Sequence, residues 1–154
     1  MNHSMLETIP GFMLLTERLA TAGQPSGQEL ADVAAAGFQL VINLGLHGDP
    51  SYSLPDEAAT VRELGMDYVH IPVQFSSPAL ADLTRFSSAM AAAEGDKVLV
   101  HCRHNKRVPV FVALDRVIRC GWEREAAFEA MHRAWSPDAT WLAFIGQALA
   151  QNAG

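Results

Sequence analysis

Cysteine is scarce in this chain: Cys102 and Cys120 are the two among 154 residues. So low a count excludes a disulfide framework and fits a reducing compartment. A helix of about a dozen residues is expected between them, which holds the pair beyond bridging distance. No run of about eighteen or more apolar residues occurs, so no membrane-spanning helix is expected. Residues 1–7 lack the basic start and apolar core of a secretory signal, and the expected location is the cytoplasm. Metal-binding spacings such as Cys-x-x-Cys or His-Glu-x-x-His are absent, and neither a metal nor another cofactor is expected. Charged residues make up only 18% with a net charge of -6, an acidic balance that argues against general nucleic-acid binding.

What is present is 49% hydrophobic residues over 154 positions, enough for one sizeable core and too little chain for two. Residues 1–10 read as a flexible lead-in ending at Pro10-Gly11, and residues 11–154 as a single domain. Phe12–Leu15 and Leu19–Ala22 have the make-up of short edge strands. Ser26 with Glu29 has the capping-box spacing, Leu30, Val33 and Ala34 form an apolar stripe, and Gly37 suits a left-handed stop. Leu40–Leu44 and Tyr68–Ile71 read as buried strands, with a helix over Pro55–Leu64 between them whose inner face is Ala58, Val61 and Leu64. The intervening loop, from Gly45 to Leu54, carries His47 and Asp49 and is long enough to be functional.

Ser77-Pro78 has the form of an N-cap and first-turn proline for a helix running to Gly95. Val98–Val100 is another apolar strand, followed by a helix that accepts Pro109 in its first turn and buries Phe111, Leu114 and Ile118. Two more helices close the chain: one carries Phe128, Met131 and Trp135, and the other starts at Ser136-Pro137 and carries Trp141, Ile145 and Leu149. Alternating strands and helices predict an α/β fold, with a central, mainly parallel sheet of four to five strands flanked by helices on both faces.

The chemistry concentrates at Lys97–Arg107, which reads Lys-Val-Leu-Val-His-Cys-Arg-His-Asn-Lys-Arg. The strand delivers Cys102, and three of the 11 Lys and Arg lie between Arg103 and Arg107. Amides at a helix start, ringed by cations, form an anion site, and a thiol placed there is ionised and reactive. Cys102 is therefore the nucleophile candidate, and Arg103, His104, Asn105, Lys106 and Arg107 the phosphate-binding cradle. The Arg107 guanidinium adds a planar fork for two phosphate oxygens. His101 is the loop-orienting residue, and Asn105 the natural left-handed position in a loop without glycine. Cys120, with only Arg119 as a basic neighbour, reads as structural.

His101-Cys102 after an apolar strand, with an arginine and a helix beyond, resembles the cysteine-dependent protein tyrosine and dual-specificity phosphatases. Ala22-Gly23-Gln24-Pro25, Val41-Ile42-Asn43-Leu44, His70-Ile71-Pro72-Val73 and Val100-His101-Cys102, in that order, are similar to a group of small bacterial dual-specificity-phosphatase-like proteins. The likeness runs from about Leu19 to Trp141. It implies a phosphocysteine intermediate, no metal, and as substrate a phosphorylated protein (phosphotyrosine or phosphoserine) or a small aryl phosphate. It also hints that Gln24 lies near the site.

Three departures from that pattern carry consequences. Four residues, not five, separate Cys102 from Arg107; Val108 stands where a hydroxyl normally helps the thiolate leave; and residues 73–78 hold no carboxylate for the usual general acid. Asp49 is the expected substitute acid, with Asp82 as the alternative. The short loop also matches sulfurtransferases of the rhodanese type, whose cysteine carries a persulfide. A phosphate-binding protein without turnover is the third reading.

Overall fold

The computed structural model describes residues 4–46 and 54–152. Five strands form one sheet: β1 (Met13–Thr16), β2 (Leu19–Ala22), β3 (Leu40–Asn43), β4 (Asp67–His70) and β5 (Val98–His101). Their order is β1-β2-β5-β3-β4, with β1 antiparallel to β2 and the remaining neighbours parallel. The helices are α1 (Gly27–Ala35), α2 (Glu57–Glu63), α3 (Leu80–Ala92), α4 (Arg107–Ile118), α5 (Arg124–Ala134) and α6 (Ala139–Gln151). The predicted mainly parallel α/β sheet, flanked by helices, is what the chain forms.

Alternation along the strands divides the core in two, because successive side chains leave opposite faces of the sheet. Val41 and Leu99 point to the face covered by Leu30, Val33 and Val61 of α1 and α2. Leu40, Ile42, Val98 and Val100 point to the other, where Phe86 of α3, Phe111 of α4 and Trp141 and Phe144 of α6 pack. Phe111 is fully buried and meets Trp141 at 6.2 Å and Phe144 at 5.7 Å between ring centroids. Truncating a core aromatic of this kind to alanine costs ~3–5 kcal/mol.

Local signals worked where they were chemical. Ser26 accepts from the Glu29 amide and Glu29 answers with a carboxylate bond to the Ser26 amide, so α1 begins at the capping box. Gly37 and Gly65 take φ of 92° and 86° after α1 and α2, conformations that strain a residue with a Cβ.

Other expectations are corrected by the packing. Leu19–Ala22 is no edge strand: it lies between β1 and β5, and Ala20 and Ala22 are fully buried. The stretch expected as a loose lead-in carries a 3-10 turn at Ser4–Thr8, with Leu6 and Ile9 buried beneath α1 in the smaller core cluster. Helix α3 starts two residues past Pro78, because the Ser77 amide closes a turn onto the Gln74 carbonyl and Ala79 becomes the N-cap. Helix α6 starts after Asp138, whose carboxylate accepts from the Trp141 amide, so Asp138 rather than Ser136 is the cap. Cys120, read as structural, is exposed just past α4.

Candidate active site

Three neighbouring strands end level with one another. Ala22 of β2 and Asn43 of β3 both pair with His101 of β5, so the segments leaving all three converge on Cys102. Open parallel sheets gather ligands at such carboxyl ends. The Cys102 amide donates to the Ala22 carbonyl at 3.2 Å, the Gln24 amide to the Arg103 carbonyl at 3.0 Å, and the Leu44 amide to the His101 carbonyl at 2.8 Å. These bonds splice the Gly23-Gln24-Pro25 turn and the start of the β3 loop onto the cysteine loop. Contact is close enough to require glycine at Gly23: a Cβ there would lie 2.6 Å from the Arg103 carbonyl oxygen and 2.9 Å from that of Pro10.

Asn105 takes φ of 57°, the left-handed turn expected of it. Its side chain points away from the anion cradle, donating from Nδ2 to the Gly11 carbonyl at 2.8 Å and to the Thr21 hydroxyl at 3.0 Å. The turn is thereby pinned to the chain entering β1 and to β2. The backbone then enters α4 with Arg107 as the first helical residue. Among the described residues the amides of His104, Asn105 and Lys106 donate to no other group of the chain, which leaves them available to an anion.

Cys102, Arg103, His104, Lys106 and Arg107 surround a cavity of about 220 Å³ together with Phe75. Cys102 is fully buried at its floor and Arg107 is 7% exposed. One terminal nitrogen of Arg107 donates to the Val73 carbonyl at 2.9 Å, while its Nε is buried without a partner. A buried guanidinium N–H left open beside a cysteine is a donor suited to an oxyanion. Phe75 forms the apolar wall. It is held by the Trp141 indole N–H, which donates to its carbonyl at 2.8 Å, and by ring contacts with Trp135 and Trp141 at 5.8 and 5.7 Å. A larger hollow of about 510 Å³, at the opposite end of the strands near Arg18, Gln39 and Lys97, has no cysteine among its described lining residues.

Behind Cys102 lies a buried polar network that sequence reading missed. Glu57, at the start of α2, is 1% exposed. Its carboxylate accepts from Gln24 Nε2 at 2.6 Å, meets His101 Nε2 at 2.6 Å, and is bonded by the Tyr68 hydroxyl. Asn43 Nδ2 donates to Tyr68 at 3.0 Å, and Asn43 Oδ1 accepts from the Gly45 amide at 2.7 Å. Burial pushes the Glu57 carboxyl up, but the bonds and charge of His101, with those of Gln24 and Tyr68, outweigh it and hold the group below its ordinary value. Burial and the Glu57 charge push the Tyr68 phenol up. His101 thus links α2 to the cysteine loop, its Nε2 on Glu57 at 2.6 Å and its Nδ1 3.4 Å from the Cys102 carbonyl. The available signal for Glu57 was its position one turn before the buried Val61.

Of the two expected acids, Asp82 pairs with Arg85 on α3 and is not among the described residues that line the cavity, and Asp49 lies outside the described residues. His101, Cys102 and His104 form no group arranged to hold a metal among the described residues. The described helices include none long and apolar enough to cross a membrane. Burial, followed by the charges of Arg103, Lys106 and Arg107, pushes the His104 imidazole below its ordinary 6.5.

A mainly parallel sheet that presents a buried cysteine and an arginine one loop apart, at a helix start, defines the cysteine-phosphatase class of α/β domain. Within it, the chain belongs to the family described as "Beta-lactamase hydrolase-like protein, phosphatase-like domain", whose model matches residues 11–118. The beta-lactamase hydrolase-like protein of Xylella fastidiosa (strain Temecula1) is 37% identical over 134 residues, covering 83% of this chain and 31% of that protein. The chain therefore spans about a third of the length of that relative. The DUF442 protein of Shewanella putrefaciens CN-32 superposes with a TM-score of 0.86 at 28% identity, over 98% of this chain and 99% of that one. The dual specificity protein phosphatase TpbA of Pseudomonas aeruginosa is 31% identical over 85 residues, 54% of this chain and 39% of its own. Its Cys-to-Ser variant, solved in complex with pTyr, superposes with a TM-score of 0.69 at 20% identity, over 94% of this chain and 91% of that one.

Proposed function

We propose that this chain is a cysteine-dependent phosphatase that hydrolyses phosphate monoesters, with aryl phosphates such as phosphotyrosine as the favoured class. Cys102 Sγ, as the thiolate, attacks phosphorus in line and the ester P–O bond breaks, leaving phosphocysteine. Water then attacks phosphorus, the P–S bond breaks, and inorganic phosphate leaves with the thiolate restored. The loop amides and the Arg107 fork hold the non-bridging oxygens and absorb their developing charge.

The observation that carries this reading is the shared cavity of Cys102 and Arg107, in which the Arg107 Nε is buried without a partner. The preference for aryl groups rests on Phe75, the aromatic wall beside that pair. The TpbA complex with pTyr supports the same substrate class by analogy of fold. Family and fold also weigh against sulfur transfer, which rests on loop length alone.

The test is hydrolysis of p-nitrophenyl phosphate by the wild-type chain and by Cys102→Ser. Wild type is expected to release a burst of about one equivalent of nitrophenol, because the buried Val108 offers no hydroxyl to speed breakdown of the intermediate. Loss of both burst and turnover is expected in the variant; undiminished hydrolysis overturns the mechanism. Thiocyanate formed from thiosulfate and cyanide, without phosphatase activity, favours the sulfurtransferase. Protection from thermal unfolding by phosphate without either reaction favours a binding protein.

A further inference from the structure

In-line attack fixes where the leaving group must be. Cys102 is buried at the cavity floor, so the bond that breaks points away from Sγ toward the mouth. A group that protonates the leaving oxygen therefore has to lie on the cavity wall near the opening. Among the described lining residues there is no carboxylate: the wall consists of Phe75, Cys102, Arg103, His104, Lys106 and Arg107. Three described carboxylates are engaged elsewhere, Glu57 with His101 and Gln24, Asp82 with Arg85, and Asp115 with Arg119. Of the wall residues, arginine and lysine hold their protons too firmly to give them up near neutral pH, and Cys102 is the nucleophile. Among these described residues one exposed side chain remains whose proton moves in the right range, the imidazole of His104.

We propose that His104 is the general acid of this site, donating its imidazolium proton to the leaving oxygen as the P–O bond breaks. The assignment rests on the phosphatase reading above. In the first step the ester becomes free alcohol or phenol, Cys102 becomes phosphocysteine, and His104 becomes neutral. In the second, neutral His104 takes a proton from the attacking water, inorganic phosphate and the Cys102 thiolate are released, and the imidazolium is restored. Electrostatics fit that cycle. The charged groups facing His104 among the described residues are Arg103, Lys106 and Arg107, all cations of its own loop and the α4 start, and burial, followed by these charges, holds the imidazole below 6.5. An incoming phosphate dianion offsets those charges, so the proton is retained while substrate is bound and released readily as the dianion turns over.

Leaving-group dependence tests this directly. Phenyl phosphates of graded phenol pKa and an alkyl phosphate are compared for the wild type and for His104→Gln. The variant is expected to lose on the order of a hundred- to ten-thousand-fold in kcat/KM on the alkyl phosphate, and less than about tenfold on p-nitrophenyl phosphate, whose leaving group needs little proton. A loss of equal size on every leaving group assigns His104 to binding alone and overturns the proposal. A second measurement needs no variant: the wild-type ratio of alkyl to p-nitrophenyl kcat/KM, each referred to the concentration of its phosphate dianion so that the leaving groups alone differ, should rise as pH falls through a value below 6.5. A flat ratio between pH 5 and 8 also overturns it. Failure of the underlying phosphatase reading looks different, since Cys102→Ser would then retain hydrolysis whatever His104 does.

Discussion

Glu57 Oε2 lies 2.6 Å from His101 Nε2, with both side chains fully excluded from solvent. The carboxylate is on α2 and the imidazole on the last residue of β5, so one contact ties the helix after β3 to the residue before Cys102. The same carboxylate takes Gln24 and Tyr68, and Tyr68 takes Asn43, which gathers the turn after β2 and strands β3, β4 and β5 onto one charge.

Removing that charge leaves three donors facing one another. Glu57→Ala is expected to lower stability by ~3–5 kcal/mol, as breaking a buried pair does, with Glu57→Gln less severe. Urea unfolding at pH 7 measures both. A change below about 1 kcal/mol for the alanine variant would show that water replaces the carboxylate at no cost.

Acid should expose the same group. The folded Glu57 carboxyl is held below its ordinary 4.5, so the unfolded chain binds the proton first as pH falls. Its contribution is complete above about 4.5 and is lost progressively as pH drops from there through the lower folded value. Glu57→Gln should therefore show a shallower fall in stability over that acid window than wild type, read from urea midpoints at successive pH values.

Gly23 and Gly27 make a matched pair. Gly23→Ala drives a Cβ onto two backbone oxygens, and is expected to cost ~1–3 kcal/mol and lower phosphatase turnover by shifting the cysteine loop. Gly27→Ala, with nothing within 4 Å and a helical position, should be neutral or stabilising by up to ~1 kcal/mol. Equal thermal midpoints for the two variants would contradict the close approach.

Asn105 joins a strained turn to two side-chain bonds, and substitution separates them. Asn105→Ala loses the bonds to Gly11 and Thr21 and keeps the left-handed backbone, for an expected ~2–3 kcal/mol. Asn105→Gly relieves the backbone and should recover ~1 kcal/mol of that. The order alanine below glycine below wild type in thermal stability checks the assignment.

Much of this was legible without coordinates because it is local. The capping box at Ser26, the glycine stops and the left-handed Asn105 depend on residues a few positions apart, and the apolar runs of β3 and β5 need burial on both faces. Helix starts at α3 and α6 were missed by two to three residues because the competing caps, Ala79 and Asp138, are chosen by turns and bonds that sequence spacing does not rank. The N-terminal stretch was underestimated because Leu6 and Ile9 are too few to show a period, yet each finds a hydrophobic hollow beneath α1.

Period, composition and nearest neighbours in the sequence specify an α/β chain with a cysteine in a basic loop at a helix start. Tertiary structure alone decided which residues stand around that cysteine. Phe75 walls the cavity because Trp141, 66 positions away, holds its carbonyl. Glu57 underlies the loop although 44 positions separate it from His101. A charged residue is expected at the surface unless its partners are known, and partners so distant are brought together only when parallel strands end level.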